Sequence, residues 1–170
     1  MELEKLYMQE FPGTRFRINL VREEAAPEDG GGDLKAITNQ EDAYRYLKAG
    51  LEDRDRETFV CLLLDARLVP LGVNLVAVGQ LDQATIHSRE VFKAAVLASA
   101  SSIVLGHNHP SGDPSPSMVD REITVGLAHA GRILGIRVWD HIIIGRESYE
   151  SLHSLCNSIW EKEKPKWPLS

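Results

Sequence analysis

Two histidines one residue apart, His107 and His109, and an aspartate further along, Asp120, are the side chains in this chain best suited to hold a metal ion together. An extended segment points alternate side chains to one side, so the imidazoles of His107-Asn108-His109 can both reach one ion. The following segment, Pro110 to Ser117, has prolines at 110, 114 and 116 and a glycine at 112, which forces irregular backbone. Ser117 then opens a helix and Asp120 lies one turn into it, so a loop that folds back brings this carboxylate to the imidazoles as a third ligand. Two neutral imidazoles and one carboxylate suit Zn²⁺, and three protein ligands leave a fourth position open for water. An open position implies reactivity, because the ion lowers the pKa of bound water from ~15.7 toward ~7 and polarises a substrate carbonyl.

The elements that must position these groups read as follows. Thr38-Asn39-Gln40-Glu41 is a capping box, with the Thr hydroxyl and the Glu carboxylate satisfying free amides, and it opens a helix to about Ala49 that carries Tyr44 and Leu47. Glu57 to Asp65 is a short apolar run bounded by charges and suits a strand buried on both faces, followed by a second strand from about Leu68 to Val78. Between Ser88 and Ala100, Val91, Phe92, Ala95 and Val96 recur at helical spacing, with Ser88 as the N-cap and Glu90 in the first turn. Ser102 to Leu105 is a β-branched strand that ends at Gly106, which places the histidines on the loop leaving it. The helix from Ser117 presents Ile123, Leu127, Ala130 and Leu134 on one face, and Ile136 to Ile144 is the last clear strand.

With 170 residues the chain is long enough for one domain with a core. Residues 1–37 read as an extension with a flexible Gly/acidic link (Ala25 to Asp33), 38–157 as the folded domain, and 158–170 as a polar tail. The net charge of −6 gives no broad attraction for a phosphate backbone, so charge does not support nucleic acid as a partner. Two cysteines, Cys61 and Cys156, supply neither a disulfide framework nor a CxxC knuckle. No apolar run reaches membrane-spanning length and the N-terminus lacks a signal-peptide pattern, so the expectation is a cytoplasmic protein away from membranes.

His107-Asn108-His109-Pro110, followed by Ser117 and Asp120, resembles the JAMM signature HxHPx6SxxD. The wider stretch from Thr85 to Gly145, with HSREVFKAA, LGHNHPSGDPSPS and WDHIIIG, is similar to the RadC branch of the JAMM/MPN metalloproteases, and the likeness extends back to about Thr38. The resemblance implies a single-domain α/β fold of the cytidine-deaminase-like MPN type, a mixed central sheet flanked by helices. It also implies a zinc site and hydrolysis of peptide or isopeptide bonds, with a peptide or protein, or a ubiquitin-like conjugate, as substrate. Asn108 stands where many eukaryotic JAMM proteins carry Ser or Thr, whereas RadC-like proteins commonly have Asn.

JAMM enzymes place a glutamate ahead of a leucine-rich strand to act on the attacking water, and Glu57, before TFVCLLLD, fits that place, with Glu90 as its competitor. By the same analogy Ser117 hydrogen-bonds the oxyanion, although Ser117 with Asp120 is also an ordinary Ser-x-x-Asp capping pair. Asp140 or His141 either orients a metal ligand or serves strand-end hydrogen bonding. His87 reads as a solvated loop residue, His129 as helix surface, Asp113 as part of a Gly-Asp-Pro turn, and His153 carries no signal. Two rival functions stand beside hydrolysis. One is the DNA-repair or mobile-element accessory role that the RadC name suggests, for which no Gly-rich helix-hairpin-helix pattern is found. The other is a non-catalytic MPN binding module, against which the intact ligand set argues.

Overall fold

The computed structural model describes residues 35–79 and 86–156. The Gly/acidic link, almost all of the N-terminal extension and the polar tail lie outside these residues.

β1 (Thr58–Leu64) is buried at every position because it is paired on both edges and covered on both faces. β2 (Pro70–Val78) runs antiparallel on one side of it and β3 (Ser102–Asn108) antiparallel on the other. β4 (Arg137–Ile144) lies parallel to β3, and the short β5 (Tyr149–Ser151) closes the sheet in the order β2-β1-β3-β4-β5. β2 is an edge strand with alternating exposure, and its Pro70 stands at the first position, where a missing N–H costs the ladder least.

Alternation along β1 divides the core. Phe59, Cys61 and Leu63 join Ile103 and Leu105 beneath α2 (Ser88–Leu97) and α3 (Met118–Leu134). Val60, Leu62 and Leu64 pack with Val104, Ile142 and Ile144 beneath α1 (Gln40–Leu51). Each fully buried Leu or Ile contributes ~1.5–3 kcal/mol from water exclusion, which is why so apolar a strand settles at the centre. The result is a mixed α/β sheet flanked by helices on both faces, with the one-turn helix α4 (Leu152–Leu155) after β5. Among the described residues, no helix is long and apolar enough to cross a membrane.

Several local details differ from the sequence reading. The cap of α1 is displaced by one residue: the Asn39 side chain accepts from the Asp42 amide, and Asp42 Oδ2 accepts from the amide and hydroxyl of Thr38. Asn and Asp are as competent in these positions as Thr and Glu, and this frees Glu41 to pair with Arg45 and accept from the Tyr149 hydroxyl. At α2 the N-cap is His87, without a side-chain bond, because the extended backbone lies there and Ser88 is already helical. That helix stops at Leu97, two residues before Ser99 turns left-handed (φ 53°), and it buries Ala94 while leaving Val96 exposed. On α3, Leu134 is exposed and Gly131 faces the core, where a Cβ would meet the Ile136 carbonyl and the Phe92 ring.

The largest difference concerns the histidines. β3 does not end at Gly106 but runs on through His107, which pairs with Phe59 on one side and Ile143 on the other, to Asn108, which pairs with Ile144. Asn108 secures that extension: its Oδ1 accepts from the Thr58 amide at 2.8 Å and its Nδ2 donates to the Arg54 carbonyl at 3.1 Å.

Candidate metal centre

His107 shares a sheet face with Phe59, Leu105 and His141, the face covered by α2 and α3, so its ring is carried into the interior and is fully buried. His109 follows as the strand ends, its amide donating to the Ile144 carbonyl at 2.9 Å. A turn closed by the Gly112 amide on the His109 carbonyl then carries the chain away, and Gly145 lets this loop press onto β4, since a side chain there would strike the Gly112 carbonyl and Pro114. Asp120 sits at the third position of α3. Its Oδ2 accepts from the Ser117 amide at 2.7 Å and from the Ser117 hydroxyl at 2.6 Å, while Ser117 Oγ accepts from the Asp120 amide at 3.1 Å. This reciprocal capping box locks the carboxylate rotamer.

Through these three anchors the ligand atoms of His107, His109 and Asp120 all lie within 4.8 Å of one another. His107 Nε2 is 3.0 Å from His109 Nε2 and 3.3 Å from Asp120 Oδ1, and His109 Nε2 is 3.6 Å from Asp120 Oδ2. Ligands ~2.0–2.2 Å from one tetrahedral ion stand ~3.3–3.6 Å apart, so the spacing is close to that around a single small cation. The donor chemistry agrees. His109 Nδ1 lies 2.8 Å from the Asp113 carbonyl, which can only accept, so Nδ1 carries the hydrogen and Nε2 presents its lone pair to the cluster.

The electrostatics fit the same assignment. Burial pushes the Asp120 carboxyl up, but the imidazoles of His107 and His109 and the Ser117 hydroxyl that close on it outweigh burial and hold the group ionised, well below the usual carboxylate range. The Asp120 hydrogen bond, against the opposing effect of burial, raises His109 above its ordinary value of 6.5; the Asp113 carbonyl and the charges of Asp120 and Glu57 add to the rise. A proton and a metal ion therefore compete for His109 Nε2. For the metal-free chain, the raised His109 contributes stability that is complete below 6.5 and is lost as pH rises through the folded value. The depressed Asp120 contributes stability that is present above 3.8 and is lost as pH falls through its folded value. The His–Asp pair should thus stabilise the metal-free chain most between 3.8 and 6.5. Affinity for a divalent metal ion should run the other way, rising with pH across the titration of His109 by up to about tenfold per unit for one displaced proton. Calorimetry in buffers of differing ionisation enthalpy, alongside melting curves with and without zinc, measures both trends.

Glu57 is half-buried two residues ahead of Phe59, the backbone partner of His107, and its charge is felt at His109. Glu90 is bound instead by Lys93 at 2.6 Å and Arg89 at 3.6 Å, and the Lys93 hydrogen bond lowers its pKa. Asp113 belongs to its turn, with Oδ1 accepting from the Ser115 amide. His87 and His129 are exposed, and the His153 amide donates to Asp140. Asp140 also accepts from the Ser151 hydroxyl and the His141 amide, so from within β4 it ties that strand to β5 and the start of α4 and stays out of the cluster. His141 approaches His107 instead: its Nε2 is 2.8 Å from His107 Nδ1, and its Nδ1 is 2.6 Å from Thr124 Oγ1. Thr124 and the Asp113 carbonyl had no place in the sequence reading, although a threonine one turn after Asp120, on the apolar face of α3, is a signal of a kind.

Ser117→Ala removes one side of the capping box and should cost ~0.5–2 kcal/mol of stability, read from a denaturant melt of the metal-free chain. A polar cleft of about 450 Å³ opens beside His109, bordered by Lys48, Glu52, Arg54, Pro110 and Arg146.

Comparison with known proteins agrees with this architecture. The RadC-like JAB domain matches residues 37–157. A UPF0758 protein of Caldanaerobacter subterraneus is 44% identical over 114 residues, covering 67% of this chain and 49% of that protein. One from Methanosarcina mazei is 41% identical over 118 residues, covering 69% and 52%. One from Thermotoga maritima is 35% identical over 175 residues, covering 89% and 78%. The chain spans about half the length of the first curated relatives it matches. With the mixed sheet, the His-His-Asp cluster at the end of β3 and this match all in agreement, the chain belongs to the RadC-like JAB domain family.

Proposed function

We propose that this chain is a zinc-dependent hydrolase of peptide or isopeptide bonds, acting on a peptide or protein or on a ubiquitin-like conjugate. The observation that carries the reading is the convergence of two imidazole nitrogens and one carboxylate within 4.8 Å, beside a polar cleft. When bound, the ion supplies a Lewis acid that makes water nucleophilic near neutral pH and polarises the carbonyl to be attacked.

The chain's own residues do the rest. His107, His109 and Asp120 hold the ion from three different anchor points, a strand, a turn and a helix end. Glu57 takes the proton from the attacking water and returns it to the leaving nitrogen, a transfer that contributes ~10²–10⁴-fold in rate. Ser117 donates to the oxyanion by turning its hydroxyl away from Asp120 Oδ2, and its amide keeps the carboxylate in place while it does so. The cleft bordered by Lys48, Glu52, Arg54 and Arg146 offers charges of both signs to an extended polypeptide. Cys61 and Cys156 are free thiols, as a reducing cytoplasm would keep them.

The test is cleavage of a peptide library and of isopeptide-linked substrates by the purified chain, before and after chelation and after zinc is returned. Cleavage lost with the chelator and restored by zinc is expected. A zinc-loaded chain that cleaves neither substrate class overturns the hydrolase reading.

A further inference from the structure

His141 is fully buried, is absent from the ligand set and has no part in the proposed proton transfers. Its two ring nitrogens nevertheless each meet a polar atom, and the directions of those bonds follow from simple counting. Thr124 Oγ1 lies 2.6 Å from the Asp120 carbonyl, and a carbonyl only accepts, so the single hydroxyl hydrogen of Thr124 is directed there. The 2.6 Å contact between Thr124 Oγ1 and His141 Nδ1 must then be donated by the ring, which places a hydrogen on Nδ1. A neutral imidazole carries one ring hydrogen, and a ring with no exposure stays neutral, so His141 Nε2 bears a lone pair. The 2.8 Å contact to His107 Nδ1 is accordingly donated by His107, which in its neutral form leaves His107 Nε2, the atom that faces His109 and Asp120, without a hydrogen.

We propose that His141 and Thr124 are positioning residues that fix the tautomer and ring orientation of His107, so that its Nε2 lone pair is presented to the metal before the metal arrives. The relay ends on the carbonyl of Asp120, so it also ties a ligand on β3 to the backbone of the ligand on α3. Phe59 holds both rings from the side, lying parallel to His107 at 5.9 Å and edge-on to His141 at 5.4 Å, which leaves little freedom for either to turn. Partners of this kind typically account for 10–100-fold in metal affinity, because an untethered imidazole spreads its hydrogen over both nitrogens.

The inference rests on the three-residue metal site, and the experiment separates the two. The full chain, freed of metal and ¹⁵N-labelled at histidine, is examined by long-range ¹H–¹⁵N NMR at mildly alkaline pH, and zinc affinity is measured by chelator competition. The wild type should show His107 hydrogenated at Nδ1 and bare at Nε2. His141→Phe should return a mixed or reversed His107 tautomer and weaken zinc ~10–100-fold. His141→Gln, whose amide oxygen can accept from Nδ1–H, should recover much of both. Thr124→Val, nearly isosteric, should disturb the His141 tautomer and weaken zinc ~10-fold, and it serves if the Phe variant does not fold. Wild-type His107 hydrogenated at Nε2, or a folded Phe or Val variant with the wild-type tautomer and zinc affinity, overturns the proposal. A wild type with the expected tautomer but no zinc binding points instead to failure of the metal assignment.

Discussion

Replacing Glu57 with Gln is expected to lower turnover by ~10²–10⁴-fold while leaving zinc bound. The amide keeps the shape of the side chain but cannot accept the proton of the attacking water, so the loss should fall on kcat more than on KM. The local backbone should not move, because the Gly79 amide donates to the Glu57 main-chain carbonyl, which the substitution leaves intact. Glu57 is one of the charges that raise His109, so the variant should also show a somewhat lower His109 pKa, visible by NMR without any substrate. Glu90→Gln is the matched control: its carboxylate serves Lys93 and Arg89, and its loss should leave turnover near wild type. Full activity in the Glu57 variant together with loss in the Glu90 variant would move the base to Glu90.

Asp120→Ala should abolish useful zinc binding, with affinity falling by more than the ~100-fold that loss of a supporting hydrogen bond costs. Asp120 has two places in the structure, as the carboxylate of the group that could hold a metal ion and as the third residue of α3, where it completes the capping box with Ser117. The alanine variant loses both, and should also melt earlier without metal by an amount corresponding to ~0.5–2 kcal/mol. Asp120→Asn separates them: its amide oxygen can still accept from the Ser117 amide, so the helix start survives while the charge that favours a divalent ion is gone. Equal zinc affinity in the Asn variant and the wild type, measured by competition, would remove Asp120 from the ligand set.

The sequence exposes this site unevenly, for physical reasons. His107, His109, Ser117 and Asp120 fall within one short stretch whose prolines and helix cap dictate its shape, so their convergence can be read locally. β1 is legible too, since a strand apolar at successive positions has to be covered on both sides. The end of β3 is not, because whether His107 stays in the sheet depends on Phe59 and Ile143, distant in sequence, and on the Asn108 side chain binding the Thr58 amide. Exposure of Val96 and Leu134 likewise depends on how each helix is rotated over the sheet, which helical spacing alone leaves open by one position. The Thr124–His141–His107 relay joins α3, β4 and β3, so only the folded chain brings it together. Among the carboxylates, Glu57 and Glu90 resemble each other in sequence, and they separate only when Lys93 is seen to hold one and the charge of the other is felt at His109.

Crystals of the chain grown with zinc, measured at wavelengths on either side of the zinc absorption edge, test the metal assignment most directly. One anomalous peak per chain is expected, ~2.0–2.2 Å from Nε2 of His107, Nε2 of His109 and a carboxylate oxygen of Asp120. Zinc found elsewhere with those three side chains empty, or no zinc retained by the folded chain, would contradict it.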